Sequence, residues 1–175
     1  MDLYMVFDVE SIGLHGDAFS YGFVVVDAST GEEISCGECN CNPVDFKGTV
    51  ANHEWVKANC RIELPICQSP LLLRRSFWST WGYWKAQGAK LAADVPWPVE
   101  ANFLSACVAD DPIANEWQGP YPLIDVASVR LAAGFDPLAK EERRPDELPE
   151  HDPLADARQS ARLLLEALPK NKGAK

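Results

Sequence analysis

Three places in this chain carry acids at spacings that could do chemistry. The first is FDVES, residues 7 to 11. Asp8 and Glu10 lie two apart, directly after the apolar run Leu3 to Phe7. On a strand, residues two apart point to one face. Two carboxylates held that close resist ionising unless a cation neutralises them. Oxygen donors of this kind suit a hard divalent ion such as Mg²⁺ or Mn²⁺. The plain alternative is a pair of acids at a solvated strand edge. The second place is Asp94, at the end of AKLAADV (89–95). Ligand sites of open α/β sheets gather at such strand ends, although a helix-start aspartate would look the same. The third is HDPLAD, residues 151 to 156. Asp152 suits the N-cap of a last helix, which puts Asp156 in its first turns and His151 just ahead. An aspartate there can complete a carboxylate cage, and a histidine beside it can take a proton from water near neutral pH. Taken alone, His151 reads as a surface histidine in an acidic loop.

The elements that must position these residues follow from the patterning. Residues 3–10, 19–27 and 33–41 read as strands separated by glycine-containing turns, an antiparallel meander. The unbroken apolar run of the first implies burial on both faces. Val50 to Cys60 and Leu71 to Gln87 read as helices, the second closed by Gly88. Trp78 and Trp81, three apart, suit a core-facing stripe better than a base-stacking platform. Residues 89–95 read as a short strand, and Pro98 opens a helix to about Ala109. Tyr121 to Val126 is another short strand, followed by a helix over 127–133. The proline-rich and charged stretch 136–150 reads as a solvated loop. Asp152 to Leu168 is a helix with an apolar stripe at Leu154, Ala161, Leu164, Leu165 and Leu168. The order predicts an α/β fold, with a mixed central sheet flanked by helices.

The 175 residues suit a single domain over 1–169, with a tail at 170–175. No apolar run reaches the roughly 18 residues of a membrane span. The start of the chain lacks a basic segment, so no signal peptide is expected and the cytoplasm is the default location. The net charge of −10 argues against a broad grip on nucleic acid, which needs a basic face. Cys36, Cys39 and Cys41 form C-x2-C-x-C, with Cys60, Cys67 or His53 available as a fourth zinc ligand. The second C-x2-C pair of a structural zinc site is missing, so ordinary reduced thiols are favoured.

Taken together, the acidic motifs resemble a known family. FDVESIGL is similar to the first motif of the DEDD exonuclease superfamily, FD-x-E-T-x-G-L. This group includes oligoribonuclease, ribonuclease T and polymerase proofreading domains. HDPLAD resembles the third motif of its histidine-containing (DEDDh) branch, H-x4-D. The resemblance spans residues 3 to about 168. Ser11 and Ile12 stand where the family usually carries threonine. The His-Asn pair that usually precedes the second-motif aspartate is absent from AADVPWPVE. Asp94 is taken as that acid, with Glu100 in reserve and Asp110 and Asp111 behind it.

The resemblance implies a ribonuclease-H-like fold and a two-metal site using Mg²⁺ or Mn²⁺, with the two ions about 4 Å apart. Asp8, Glu10 and Asp156 would hold the first ion, and Asp8 with Asp94 the second. His151 would deprotonate the attacking water. Ser11, Ile12, Gly13 and Leu14 would contact the terminal nucleotide. The implied activity is a 3'-5' exonuclease, an exoribonuclease favoured, that releases nucleoside 5'-monophosphates from short or single-stranded RNA or DNA 3' ends. No motif here reads a 2'-hydroxyl. Relatives are often dimers, which makes a homodimer an expectation. Metal ions would supply the positive charge that the chain lacks, so binding should be weak and salt-sensitive. The rival readings are a metal-dependent hydrolase of a small phosphorylated molecule and a catalytically inactive nucleic-acid-binding relative.

Overall fold

The computed structural model describes residues 1–43, 46–61 and 67–169. The tail expected at 170–175 lies outside the described residues. Five strands form one sheet in the order β3-β2-β1-β4-β5. They are β1 (Leu3–Ser11), β2 (Ala18–Asp27), β3 (Glu32–Asn40), β4 (Lys90–Ala93) and β5 (Ile124–Asp125). β1, β2 and β3 pair antiparallel, as the turn spacing predicts. β4 joins β1 in parallel and β5 joins β4 in parallel. The sheet is mixed, and the α/β expectation matches the molecule.

β1 lies inside the sheet, which explains its apolar run. Met5, Phe7 and Val9 enter one cluster, with Leu73, Phe77 and Trp81 of α2 (Pro70–Ala86) and Phe103, Leu104 and Cys107 of α3 (Val99–Ala109). Tyr4 and Val6 enter a second on the opposite face. Val126 of α5 (Val126–Ala132) meets Ala157, Ala161 and Leu164 of α6 (Pro153–Ala167) there. Each large apolar side chain buried in this way contributes about 1.5–3 kcal/mol. Phe77 anchors the first cluster, with its ring 4.9 Å from Phe7 and 5.1 Å from Phe103. Trp81 is 3% exposed, in keeping with the core reading of its helix. α1 (Val50–Asn59) closes the end of the sheet through Val56, which packs with Ile12, Phe19 and Cys60.

α6 lies close against the sheet because the residues between them are small. Ala157 and Ala161 face the strands. Across from them, a Cβ on Gly22 of β2 would sit 2.3 Å from Leu154 N and 2.4 Å from Pro153 C. Asp152 caps the helix as expected, accepting from Leu154 N and Ala155 N at 3.1 Å each.

Several expectations need correction. The strand at 121–126 shortens to Ile124–Asp125, since Asp125 turns to cap α5 by accepting from Ala127 N. Pro98 is the cap residue of α3 rather than its first turn. A short α4 (Pro112–Asn115) and a 3-10 turn (Glu116–Gln118) fill a stretch with no assigned element. The stretch 136–150 is not simply solvated. Glu147 is 2% exposed and accepts from Arg162 Nε at 2.6 Å and Nη2 at 2.9 Å. Buried Arg130 pairs with Glu141, so the segment is pinned to both α5 and α6. Cys36 is exposed beside Arg158, while Cys39 and Cys41 are buried toward α2. No helix among the described residues is long and apolar enough to cross a membrane.

Candidate active site

The site begins where β1 outruns its neighbour. The β1–β4 pairing ends at Val6↔Ala92. Past that point no strand among the described residues lies along this edge of β1, and its backbone needs other partners. Val9 N donates to Glu100 Oε1 at 3.2 Å, which draws the first turn of α3 into the gap. Asp8 and Glu10 leave β1 here, opposite Gly22 and Ser20 of β2.

The last helix supplies the other wall. His151 sits two residues before α6 with φ +61°, a left-handed backbone that histidine tolerates better than most residues. Its N–H donates to Asp156 Oδ2 at 3.1 Å, so one carboxylate holds the turn in place. His151 Nδ1 lies 4.0 Å from Glu10 Oε1, and Trp55 of α1 packs edge-on against the imidazole at 4.9 Å. Asp156 Oδ1 accepts from Arg143 Nη1, which also donates to Glu147 O at 2.9 Å.

The result is a cleft of about 390 Å³. Asp8, Glu10, Glu100 and Asp156 line it with His151, and Ser11, Gly13, Leu14, Trp55 and Val99 complete its walls. Ligand atoms of Glu10, His151 and Asp156 lie within 4.8 Å of one another, a spacing that suits a metal ion.

Four carboxylates in one cleft disfavour each other's ionised forms. The Asp8 carboxyl is held well above its usual range, first by burial and then by Glu100, Asp156 and Glu10, with Asp94 a smaller contributor. Burial, then Asp156, pushes Glu10 up to about 7, against a thiol hydrogen bond from Cys60 at 3.5 Å. Burial pushes Glu100 up to about 7 as well. Asp156 is raised by burial despite the opposing pull of Arg143 and His151. The negative charge left over after Arg143 is what a hard divalent cation would neutralise in place of protons. The donor set fits such an ion.

Of the residues singled out in the sequence, Asp8, Glu10, Ser11, Gly13, Leu14, His151 and Asp156 share this cleft. Ile12 turns its side chain inward and is 1% exposed against Phe19, Val56 and Cys60. Asp94 stands just beyond β4 and lines a neighbouring cleft with Arg130, Glu141 and Arg143. Glu100, the reserve acid, lines the main one. Trp55 and Arg143 were not anticipated. Trp55 is one aromatic in a helix of mixed polarity, and Arg143 one base in a charged loop. Neither carries a sequence signal.

No family model and no curated protein matches the sequence. Solved structures do match its shape. E. coli exonuclease I in complex with a dT13 oligonucleotide superposes with a TM-score of 0.66 at 13% identity. That match covers 98% of this chain and 42% of exonuclease I, so the chain spans less than half the length of that relative. The nuclease domain of 3'hExo, a DEDDh family member bound to rAMP, gives 0.53 at 15% identity, covering 94% of this chain and 90% of that domain. A 3'-exonuclease that recognises the 3' end of the histone mRNA stem-loop gives 0.55 at 13% identity, covering 94% of this chain and 63% of that one. The chain has the fold of the DEDDh 3'-5' exonucleases. Its five-stranded mixed sheet is the ribonuclease-H-like arrangement of that group.

Proposed function

We propose that this chain is a metal-dependent 3'-5' exonuclease acting on short single-stranded nucleic acid, with RNA the favoured substrate. The observation that carries the reading is the convergence of Asp8, Glu10, Glu100, Asp156 and His151 on one cleft at the open end of β1. Asp8, Glu10, Glu100 and Asp156 would hold Mg²⁺ or Mn²⁺. Glu100 takes the place first given to Asp94, because it lines the cleft and exerts the larger charge effect on Asp8. Asp94 would act from outside this set. Bound divalent ions would supply Lewis-acid activation of water and neutralise charge building on the phosphate.

The protein's own groups do the rest. Glu10 Oε1 lies 4.0 Å from His151 Nδ1, which keeps the imidazole at the carboxylates, where it would accept a proton from the attacking water. Trp55 restricts the ring on its other side. Arg143 orients the Asp156 carboxylate, which in turn fixes the His151 turn through the backbone. Leu14 is 66% exposed at the cleft mouth and offers an apolar surface to a terminal base.

The test is a gel assay on 5'-labelled single-stranded RNA and DNA of one sequence, with Mg²⁺, Mn²⁺ or EDTA. Metal-dependent ladders shrinking from the 3' end are expected, and faster loss of the RNA. His151→Ala should slow them by about 10²–10⁴-fold, the usual contribution of a positioned base. The size of the cleft also suits a small phosphorylated molecule. Phosphate release from such compounds, with both oligonucleotides left intact, would favour that reading.

A further inference from the structure

Three thiols that the nuclease reading does not use converge where β3 meets the start of α2. Cys39 lies on β3, and Cys41 follows two residues on, just past the strand end. Both are buried on the α2 side of the sheet. Cys67 lies three residues ahead of α2. Its backbone is laid alongside theirs: Cys67 N donates to Asn40 O at 2.8 Å, and Cys67 bridges to Cys41 in parallel. Cys39 Sγ and Cys67 Sγ are 2.7 Å apart, whereas Cys41 Sγ is turned to Ser69 O at 3.2 Å.

Access to the three is unequal. Cys39 is 4% exposed, while Cys67 is partly open to solvent. Cys67 opens on a cavity of about 460 Å³ that Cys41, Asp17, Phe46 and Lys47 also line. Cys41 is only 3% exposed there, so Cys67 is the more open thiol to a small molecule entering that cavity, and Cys39 Sγ lies directly behind it. Burial pushes the Cys39 thiol up to about 12 and the Cys41 thiol up to about 11, which leaves both poor initial nucleophiles.

We infer that Cys39 and Cys67 are a peroxide-reactive pair that closes to a reversible disulfide, Cys67 attacking and Cys39 resolving. The Cys67 thiolate attacks one peroxide oxygen, the O–O bond breaks, and the products are a Cys67 sulfenic acid and, after protonation, one water. The Cys39 sulfur then attacks the Cys67 sulfur. The S–O bond breaks, the Cys39 proton leaves with the oxygen, and a second water forms. Two thiols and one hydrogen peroxide give one disulfide and two waters. The bridge spans 28 positions of chain, and α1 with Trp55 lies inside that span. Oxidation therefore ties one wall of the cleft to the sheet. The pair itself does not depend on the nuclease reading.

The experiment treats the whole protein with graded hydrogen peroxide, blocks remaining thiols after denaturation, and maps the unreduced digest by mass spectrometry. The expected product is a Cys39–Cys67 linked peptide pair, reversed by dithiothreitol. Thermal unfolding of the oxidised form should rise by about 10 °C, as a loop of this length implies. Cys67→Ser should abolish the link, while Cys41→Ser and Cys60→Ser retain it. The wild-type map is decisive by itself, so poor folding of a serine variant leaves the test intact. Six freely blocked thiols after peroxide, a Cys67 sulfinic acid without a link, or a link between other cysteines would each overturn the inference.

Discussion

At Val9 the backbone of β1 passes from strand pairing to a side-chain partner, and that partner is Glu100. Glu100→Gln keeps an oxygen for the Val9 N–H and removes only the charge. Its activity should fall by more than the roughly 10–100-fold typical of groups behind the ligands. Asp94→Asn should cost about 10-fold or less, the low end of that range. Steady-state rates with Mn²⁺ on one oligonucleotide compare the two, and the reverse ranking would return the fourth ligand to Asp94. Glu10 and Glu100 also set a pH dependence. Their ordinary value is 4.5, and both stand at about 7 in the folded chain. Between those values the folded state holds more protons than the unfolded one, so stability falls as pH rises. In EDTA the melting temperature should decline across this window. Mn²⁺ should restore more of it at about pH 8 than at about pH 6, because the ion replaces protons already lost. Calorimetry at three pH values checks this.

The sequence made Asp8, Glu10, His151 and Asp156 legible because a strand period and a helix cap suffice to bring them together. The choice between Asp94 and Glu100 was not legible. Those two lie six residues apart, and the choice depends on where β4 stops pairing, which no local pattern states.

Among the elements, α6 has the strictest seat. Gly22→Ala would drive a methyl into the backbone of Pro153 and Leu154, and such overpacking costs about 1–3 kcal/mol. Because Asp156 rides on α6, activity should fall further than stability. Gly82, inside α2, has open space around it, so Gly82→Ala should stabilise by about 0.5–1 kcal/mol and leave the rate unchanged. Denaturant titration with parallel assays separates these outcomes. Glu147→Ala leaves Arg162 with a lost buried partner and should cost about 3–5 kcal/mol. The strands and long helices were legible from their apolar periods. The pinned segment before α6 was not, since its prolines and mixed charges describe a solvated loop equally well. What decides the matter is Arg162, fifteen residues along the chain on a different element.

For the whole molecule, the charge of −10 leaves few cations to neutralise a nucleic-acid backbone. With about two phosphates contacted, the salt slope for a single strand should be near −0.7 per contact, about −1.4 in total. Anisotropy of a labelled oligonucleotide on His151→Ala with Mn²⁺ measures it, and a slope several times steeper would reveal a basic track that the fold does not suggest. The fold class was readable from element order alone, because three antiparallel strands followed by strand–helix alternation leave few arrangements. β1 runs for nine residues and β4 for four. The cleft is therefore a difference in length between two neighbours, kept open by the residues that β4 does not have. An insertion that let β4 continue alongside Val9 would zip the sheet shut and evict Glu100. A centre made this way can be erased without altering any of its side chains.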